Sequence, residues 1–262
     1  MKYSLCTEMM YQKLDFTERF KAASADGFEY CEFWRWEGRD WNKISDSVKQ
    51  AKMKISSFSG DDKYSLIDPE DVSSYLDFLE RSIDKAVSIG CPNLVIHTDA
   101  LNPADGSAKK TRNNLSQDQK LINAYDLLKK CAPLAEKGGI TLVLEPLNTL
   151  VDHKNYFLSD PDRAFELIDA VASENIRLLF DIYHMQIMKG NIIERLQKNI
   201  DRIGYIHAAD VPGRHEPGTG ELSYKNIFAA LKEAGYDGFI GFELSPEADN
   251  GKAVNAIKQS MV

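Results

Sequence analysis

Eight short apolar runs alternate with segments of helical periodicity along the chain, and this alternation constrains the fold more than any other feature. The runs are rich in β-branched and aromatic residues, and several are apolar at almost every position, as expected of parallel strands covered on both faces. They lie at residues 3–9, 30–36, 54–60, 94–99, 140–146, 176–184, 203–210 and 239–246. A strand–helix unit repeated eight times in 262 residues predicts an α/β fold, the (β/α)8 TIM barrel.

The segments between the runs contain residues that typically begin and end helices. Asp68 precedes an apolar stripe over residues 72–87, which predicts a helix capped by Asp68 and ended by Gly90. Ser116 and Gln119 form a capping-box pattern at the start of a second helix. The repeated pattern supports helices on the outside of a barrel.

A doubly wound open sheet is the main alternative, but it would need a glycine-rich turn after the first strand. Residues 6–15, CTEMMYQKLD, contain no glycine, so the barrel is favoured. No linker or low-complexity tract divides the chain, and we expect one domain over residues 1–262. The longest irregular segment, residues 97–116, is predicted to be a surface loop that serves function.

The charge and cysteine content narrow the classes of partner. A net charge of −8 argues against binding to nucleic acid, which depends on clustered Lys and Arg. No apolar run approaches the ~20 residues of a membrane span, and no signal peptide is evident. The four cysteines are scattered without a CxxC pair, as is typical of reduced thiols. We therefore expect a cytoplasmic protein that binds neither membranes nor nucleic acid.

Four of the predicted strands end in a residue type that ligates metals: Glu145, Asp181, His207 and Glu243. Taken singly, a carboxylate at such a position is often a helix cap, and a strand histidine is often a core residue. In a barrel, however, the carboxyl ends of the strands form the active site, and these are the last four strands. Three carboxylates brought together need a cation to offset their repulsion. The set predicts one divalent metal ion, with Mn²⁺, Mg²⁺ or Co²⁺ suited to it.

The motifs LVLEPLN, LLFDIYHMQ, HAADVPGRHEPGTGE and GFELSP, in this order, resemble the xylose-isomerase-type barrel family. They are most similar to its branch of hydroxypyruvate isomerases and ketose 3-epimerases. The third motif, HAADVPGRHEPGTGE, resembles the hydroxypyruvate isomerases more than the epimerases. The resemblance implies a homo-oligomeric, metal-dependent isomerase or epimerase in which the same four residues hold the metal. It also implies that Glu145 and Glu243 are the catalytic groups that transfer protons.

The chemistry expected of such a site is proton transfer on an α-hydroxycarbonyl substrate, either a small sugar or a hydroxy-keto acid. The metal would polarise the carbonyl and the adjacent hydroxyl and stabilise the enediolate formed when a C–H proton leaves. Return of the proton to the adjacent carbon gives isomerisation. Return to the opposite face of the same carbon gives epimerisation.

Four further residues are predicted to bind substrate. The resemblance assigns His184 and Arg214 to this role, although His184 is equally suited to supporting Asp181, and Arg214 to pairing with Glu216 in its loop. His97 follows the fourth strand and points to the site by position, with a structural role as the alternative. Asn148, just after Glu145, either positions substrate or ends the strand.

One departure from the resemblance concerns the substrate. Hydroxypyruvate isomerases often carry a basic residue soon after the EPLNT-like motif, whereas this chain has Leu150 there. A neutral ketose or a ketose phosphate, as in the tagatose- or psicose-type 3-epimerases, therefore stays an alternative to hydroxypyruvate.

Three other functions are compatible with this fold. An inosose-dehydratase-like lyase would share the enolate step but expel hydroxide. An endonuclease IV-like repair enzyme would need a histidine-rich cluster of several zinc ions, for which five histidines and an acidic chain are poorly suited. A non-catalytic sugar-binding barrel would not need the four ligand-type residues.

Overall fold

The computed structural model describes residues 1–261, in which eight parallel strands pair in sequence order and close into a barrel between β1 and β8. The strands are β1 (Lys2–Cys6), β2 (Tyr30–Phe33), β3 (Lys54–Ser59), β4 (Asn93–Ile96), β5 (Thr141–Leu144), β6 (Ile176–Asp181), β7 (Ile203–Ala208) and β8 (Phe239–Phe242). All eight predicted strands are present, and each ends earlier than its apolar run. The predicted (β/α)8 barrel is confirmed.

Helices follow the strands and cover the outside of the barrel. They are α1 (Phe16–Ala25), α2 (Trp41–Gln50), α3 (Val72–Ile89), α4 (Gln117–Gly138), α5 (Pro161–Val171), α6 (Ile182–Met188), α7 (Ile192–Lys198), α8 (Tyr224–Glu233) and α9 (Asn250–Ser260). Two short helices, α6 and α7, therefore follow β6. None of the helices in residues 1–261 combines the length and apolar character that a membrane span requires.

The predicted capping box of α4 is present. The Gln119 backbone N–H donates to Ser116 Oγ at 3.2 Å, and the Ser116 N–H donates to Gln119 Oε1 at 2.8 Å. Each bond satisfies a backbone donor that the first turn of a helix leaves free. The sequence pattern therefore predicted this helix start correctly.

The predicted start of α3 is wrong. The helix begins at Val72, and Asp71, not Asp68, is its N-cap residue. The Asp68 carboxylate is fully buried and accepts hydrogen bonds from Arg112 Nε at 2.7 Å and from Lys110 Nζ at 3.3 Å. Asp68 instead anchors the loop between β4 and α4 through these two cations, while its Oδ1 accepts the Glu70 backbone N–H at 3.0 Å.

The barrel interior contains a small apolar layer apart from the large core between strands and helices. Its buried members are Val95, Val143, Leu179, Tyr205 and Phe239. The Tyr205 ring centroid lies 5.5 Å from that of His207, two residues further along β7. Residues two apart in a strand face the same side, so this layer forms the floor beneath the carboxyl ends of the strands.

Candidate metal centre and active site

The structure brings the four predicted ligands together. Glu145 follows β5, Asp181 ends β6, His207 lies in β7 and Glu243 follows β8. Each offers one oxygen or nitrogen atom within 4.8 Å of those of the other three, and all four residues are buried. Adjacent strands in register explain the convergence, since His207 pairs directly with Asp181.

The His207 ring has one nitrogen turned towards the carboxylates. Its Nδ1 atom lies 3.3 Å from Glu145 Oε1, 3.4 Å from Glu243 Oε2 and 3.9 Å from Asp181 Oδ2. Its Nε2 atom faces the opposite way, 3.2 Å from Glu32 Oε1. Nδ1 is therefore the atom available to a cation held by the three carboxylates.

The electrostatics of the cluster agree with a cation-binding role. Burial, together with the charges of Glu145 and Glu243, raises the pKa of Asp181 to about 7 against the opposing effect of Arg214. Because a divalent ion favours the charged form of its ligands, it would relieve this unfavourable accumulation of charge. The donor set, three carboxylate oxygens and one imidazole nitrogen, fits an ion of intermediate hardness.

Asp181 serves the helix as well as the cluster. Its Oδ1 accepts a hydrogen bond from the His184 backbone N–H at 3.1 Å and so caps α6. Its Oδ2 faces His207 Nδ1. The two predicted roles, helix cap and cluster member, are thus divided between the two oxygens of one carboxylate.

His97 bridges two carboxylates beside the cluster. Its Nδ1 lies 3.0 Å from Asp61 Oδ1, and its Nε2 lies 3.3 Å from Glu145 Oε2. Burial disfavours the charged imidazole, but Asp61 and Glu145 outweigh burial and raise the pKa of His97 to about 10. Burial likewise opposes ionisation of Glu145, yet hydrogen bonds with His207 and His97 hold the pKa of Glu145 well below its usual range.

His184 and Asn148 form a buried pair at the edge of the cluster. Asn148 Nδ2 lies 2.7 Å from His184 Nδ1 and also donates to Asp152 Oδ2 at 2.7 Å. Since an amide NH₂ can only donate, His184 Nδ1 accepts and its proton is on Nε2, which lies 3.4 Å from Asp181 Oδ2. The Asn148 Oδ1 atom accepts the backbone N–H groups of Val151 and Asp152, and Asn148 is outside the cavity lining. His184, in contrast, lines the cavity.

Arg214 reaches the cluster from the loop after β7. Its Nη2 donates to Glu243 Oε2 and lies 3.5 Å from Asp181 Oδ2. Glu216, the partner considered from the sequence, instead accepts the backbone N–H of Glu247 at 3.0 Å. Arg214 thus lines the site and pairs with Glu243, and it does not form a solvated ion pair with Glu216 in its loop.

Asp210 organises the loop that carries Arg214. This fully buried carboxylate accepts four backbone hydrogen bonds at 2.9–3.0 Å. The donors are Val211, Gly218, Gly220 and Leu222. The glycine-rich segment is therefore fixed by one side chain at the end of β7.

The same loop is tied to the segment after β8. The Ser245 N–H donates to the Arg214 carbonyl at 2.9 Å, and His215 Nδ1 lies 2.7 Å from the Ser245 carbonyl. The Glu216–Glu247 bond adds a third connection. The loops after β7 and β8 are joined at the rim of the site.

A cavity of about 290 Å³ opens over the cluster, which is close to the lower end of small-molecule sites. Its lining includes Glu145, His207 and Glu243, together with His97, His184 and Arg214. Residues 101–106, part of the long loop predicted to serve function, also line it.

Sequence reasoning did not identify several polar residues of the site. Glu32 faces His207 from within β2, and Trp34 Nε1 donates to Glu243 Oε1 at 2.5 Å. His153 lines the cavity with its Nδ1 2.9 Å from the Gly106 carbonyl, and burial lowers its pKa. A carboxylate inside an otherwise apolar strand was the available signal for Glu32, whereas nothing in the sequence marked His153.

Fold and site together define the class of this protein as a (β/α)8 barrel with an acidic, imidazole-containing cluster at the carboxyl ends of its last four strands. Residues 20–260 match the family described as the xylose isomerase-like TIM barrel, and the chain belongs to that family.

Named relatives agree with this assignment. The chain is 31% identical to 2-oxo-tetronate isomerase of Cupriavidus necator, covering 98% of this chain and 97% of the relative. It is 27% identical to hydroxypyruvate isomerase of Escherichia coli, covering 94% of each. The crystal structure of an AP endonuclease, family 2, from Brucella melitensis superposes with a TM-score of 0.86 over 100% of this chain and 99% of that one. Its 23% identity supports the fold alone. The predicted family and the predicted isomerase class are confirmed.

Proposed function

We propose that this protein is a metal-dependent isomerase of a small hydroxy-keto acid, acting by proton transfer next to a carbonyl. The relatives named as isomerases of hydroxypyruvate and 2-oxo-tetronate support the substrate class. The main support for the proposal is that Glu145, Asp181, His207 and Glu243 form a buried cluster beneath a cavity of small-molecule size.

The same four residues would hold one divalent ion. Bound there, the ion supplies Lewis-acid polarisation of the carbonyl oxygen and the neighbouring hydroxyl oxygen of the substrate. Asp181 contributes its Oδ2 while its Oδ1 stays on the α6 cap, and His207 contributes Nδ1. We propose that this ion is Mn²⁺, Mg²⁺ or Co²⁺.

Glu145 and Glu243 are the proposed proton carriers. They come from strands β5 and β8, at the two ends of the four-strand arc, so substrate between them meets a carboxylate on either side. One takes the proton from the carbon next to the carbonyl, and the other returns a proton to the neighbouring carbon. Hydrogen bonds from His97 to Glu145 and from Trp34 to Glu243 hold each carboxylate in place.

Substrate orientation falls to His184 and Arg214. His184 presents Nε2–H at the cavity beside Asp181, a donor for a substrate oxygen. The Arg214 guanidinium lines the same cavity and suits the carboxylate of a hydroxy-keto acid. His97 acts through Glu145, and Asn148 acts through His184.

The test is exchange of substrate C–H with deuterated water. In metal-supplemented wild-type protein, we expect deuterium at the carbon that receives the proton from solvent, read by NMR with hydroxypyruvate and 2-oxo-tetronate. The Glu145→Gln and Glu243→Gln variants should each lose at least about 100-fold in exchange rate, in the range of general acid–base catalysis. Glu37→Gln, which removes a half-buried carboxylate outside the cavity lining that pairs with Lys63 and Arg81, is the control for lost charge and should exchange normally. Exchange at wild-type rates in both site variants would rule the assignment out.

A ketose 3-epimerase is the second candidate, favoured by the position of Leu150. This residue, which stands where hydroxypyruvate isomerases often carry a basic residue, is 70% exposed and lies outside the cavity lining. Lys154, the next lysine after the EPLNT-like motif, is also exposed and outside the cavity lining, so neither position gives the cavity a cation for a substrate carboxylate. An epimerase would place deuterium on the carbon that lost the proton and invert it, whereas an isomerase moves the carbonyl to the adjacent carbon.

A further inference from the structure

A second buried carboxylate lies on the far side of the proposed ligand His207. Glu32, in the middle of β2, is 3% exposed, and its Oε1 lies 3.2 Å from His207 Nε2. Within residues 1–261 neither atom has a partner with hydrogen-bond geometry, so this ion-pair contact is the interaction that the structure gives them. A buried anion and a buried N–H group that face only each other form a pair, because each would be costly to bury alone.

The other oxygen of Glu32 is held from below. Tyr205 Oη donates to Glu32 Oε2, and Ser57 Oγ donates to the same oxygen at 3.4 Å. Tyr205 Oη in turn lies 2.8 Å from Ser56 Oγ, which lies 2.7 Å from Ser4 Oγ. Hydroxyl groups from three strands of the barrel floor therefore fix the Glu32 carboxylate with Oε1 directed at the imidazole.

A glycine leaves space for this carboxylate. Gly241 on β8 is in register with His207, and a Cβ atom there would fall 2.3 Å from Glu32 Oε2 and 2.7 Å from Oε1. Atoms that close would force the carboxylate to move. Glycine, the residue type that has no Cβ, thus stands at the position where Glu32 lies behind His207.

From this arrangement we propose that Glu32 is a positioning residue for the metal site. It holds the proton of His207 on Nε2 and so presents Nδ1, unprotonated, to a divalent ion held with Glu145, Asp181 and Glu243. The inference rests on the proposed function, because it assumes that the four residues bind metal. Carboxylates that orient a ligating imidazole in this way typically change metal affinity by about 10- to 100-fold.

The first experiment measures metal binding alone, by calorimetric titration of metal-free protein with Mn²⁺. Relative to wild type, we expect Glu32→Ala to weaken the affinity at least about 10-fold, and Glu32→Gln, which keeps an acceptor but not the charge, to weaken it less. Gly241→Ala should weaken it while leaving every ligand and Glu32 itself in the sequence. Ser4→Ala, at the far end of the hydroxyl chain, is the matched control and should bind as wild type does. Circular dichroism and thermal melting of the metal-free variants identify any that fail to fold.

The second experiment identifies the ligating nitrogen directly. Long-range ¹H–¹⁵N correlation spectra of ¹⁵N-histidine protein loaded with Zn²⁺ should show His207 with metal on Nδ1 and a proton on Nε2. Coordination through Nε2, or Mn²⁺ affinity unchanged in folded Glu32→Ala and Gly241→Ala proteins, would overturn the inference. If the wild type itself binds no metal ion, the proposed function fails, which is a different result.

Discussion

At the scale of single residues, the site is built from side chains that each contact polar groups on two sides. Asp181 caps α6 with one oxygen and faces the cluster with the other, and His207 lies between Glu32 and three carboxylates. His97 links Asp61 to Glu145 in the same manner. Side chains bonded on two sides lose little further freedom when substrate binds, which is the physical basis of a preorganised site.

Asn148 illustrates an effect exerted through a neighbour. In Asn148→Ala, His184 loses the donor on its Nδ1 and two backbone N–H groups lose their acceptor. We expect kcat/KM to fall about 10-fold or more, since an unsatisfied buried group costs about 1–3 kcal/mol. Steady-state kinetics on the isomerase substrate would measure the loss. Asp152→Asn, which changes the other acceptor of the same amide, should cost less, and an equal loss in both variants would contradict the role given to His184.

The residues found and missed by sequence reasoning differ in their position along the strands. Glu145, Asp181, His207 and Glu243 were predictable because each stands at or near the end of an apolar strand, where a polar residue is conspicuous. Glu32 lies in a strand followed by tryptophans and an arginine, so its charge stood out less. The contact between Trp34 and Glu243 joins residues 209 positions apart, and a spacing of that length carries no local pattern.

At the scale of elements, strands were predicted more accurately than helix starts. Eight apolar runs define eight strands because burial on both faces favours apolar residues on both sides of a strand. The start of α3 was mispredicted because an aspartate before a proline resembles an N-cap. A tertiary interaction with Lys110 and Arg112, about 40 residues away, decides the role of Asp68 instead.

This ion cluster predicts a pH-dependent stability. Burial opposes ionisation of Asp68, but Arg112, the Glu70 backbone N–H and Lys110 outweigh it and hold the pKa of Asp68 below its usual value. Its stabilising contribution is therefore complete above the unfolded-state pKa of about 3.9 and is lost as the pH falls through the lower folded-state value. We expect Asp68→Asn to lower the free energy of unfolding by about 1–3 kcal/mol at pH 7.

Urea denaturation at pH 7, 4.5 and 3 measures this contribution. The difference between wild type and Asp68→Asn should be largest at pH 7 and shrink towards pH 3. Asp126→Asn, on the exposed side of α4 and in none of the ion pairs of residues 1–261, is the comparison for a carboxylate without cation partners. A difference that stays constant with pH would show that Asp68 does not act through its charge.

At the scale of the whole molecule, the barrel brings residues from positions 145 to 243 into one buried cluster, so folding gathers negative charge at a single point. A bound divalent ion should therefore stabilise the entire fold. With the ion at about 100 times its Kd, the gain is about 2.7 kcal/mol, or roughly 5–10 °C in Tm for a chain of this size.

Thermal melting after chelation and after addition of Mn²⁺ measures this coupling. Asp181→Asn keeps the α6 cap, because asparagine caps helices well, but removes a ligand charge, and it should show little or none of the Mn²⁺-dependent shift. Elemental analysis should give one ion per chain. Two or more zinc ions per chain would instead favour the endonuclease IV-like alternative.

The hydrogen bonds between the loop after β7 and residues 245–247 restrict how this enzyme can be re-engineered. If only the loop after β7 were taken from a relative, the residue at the position of Arg214 would have to accept its backbone hydrogen bond from the Ser245 of this chain and not from its own partner segment. Both segments should therefore be exchanged as one cassette when a new substrate preference is sought, while the strands that carry the acidic cluster are left untouched.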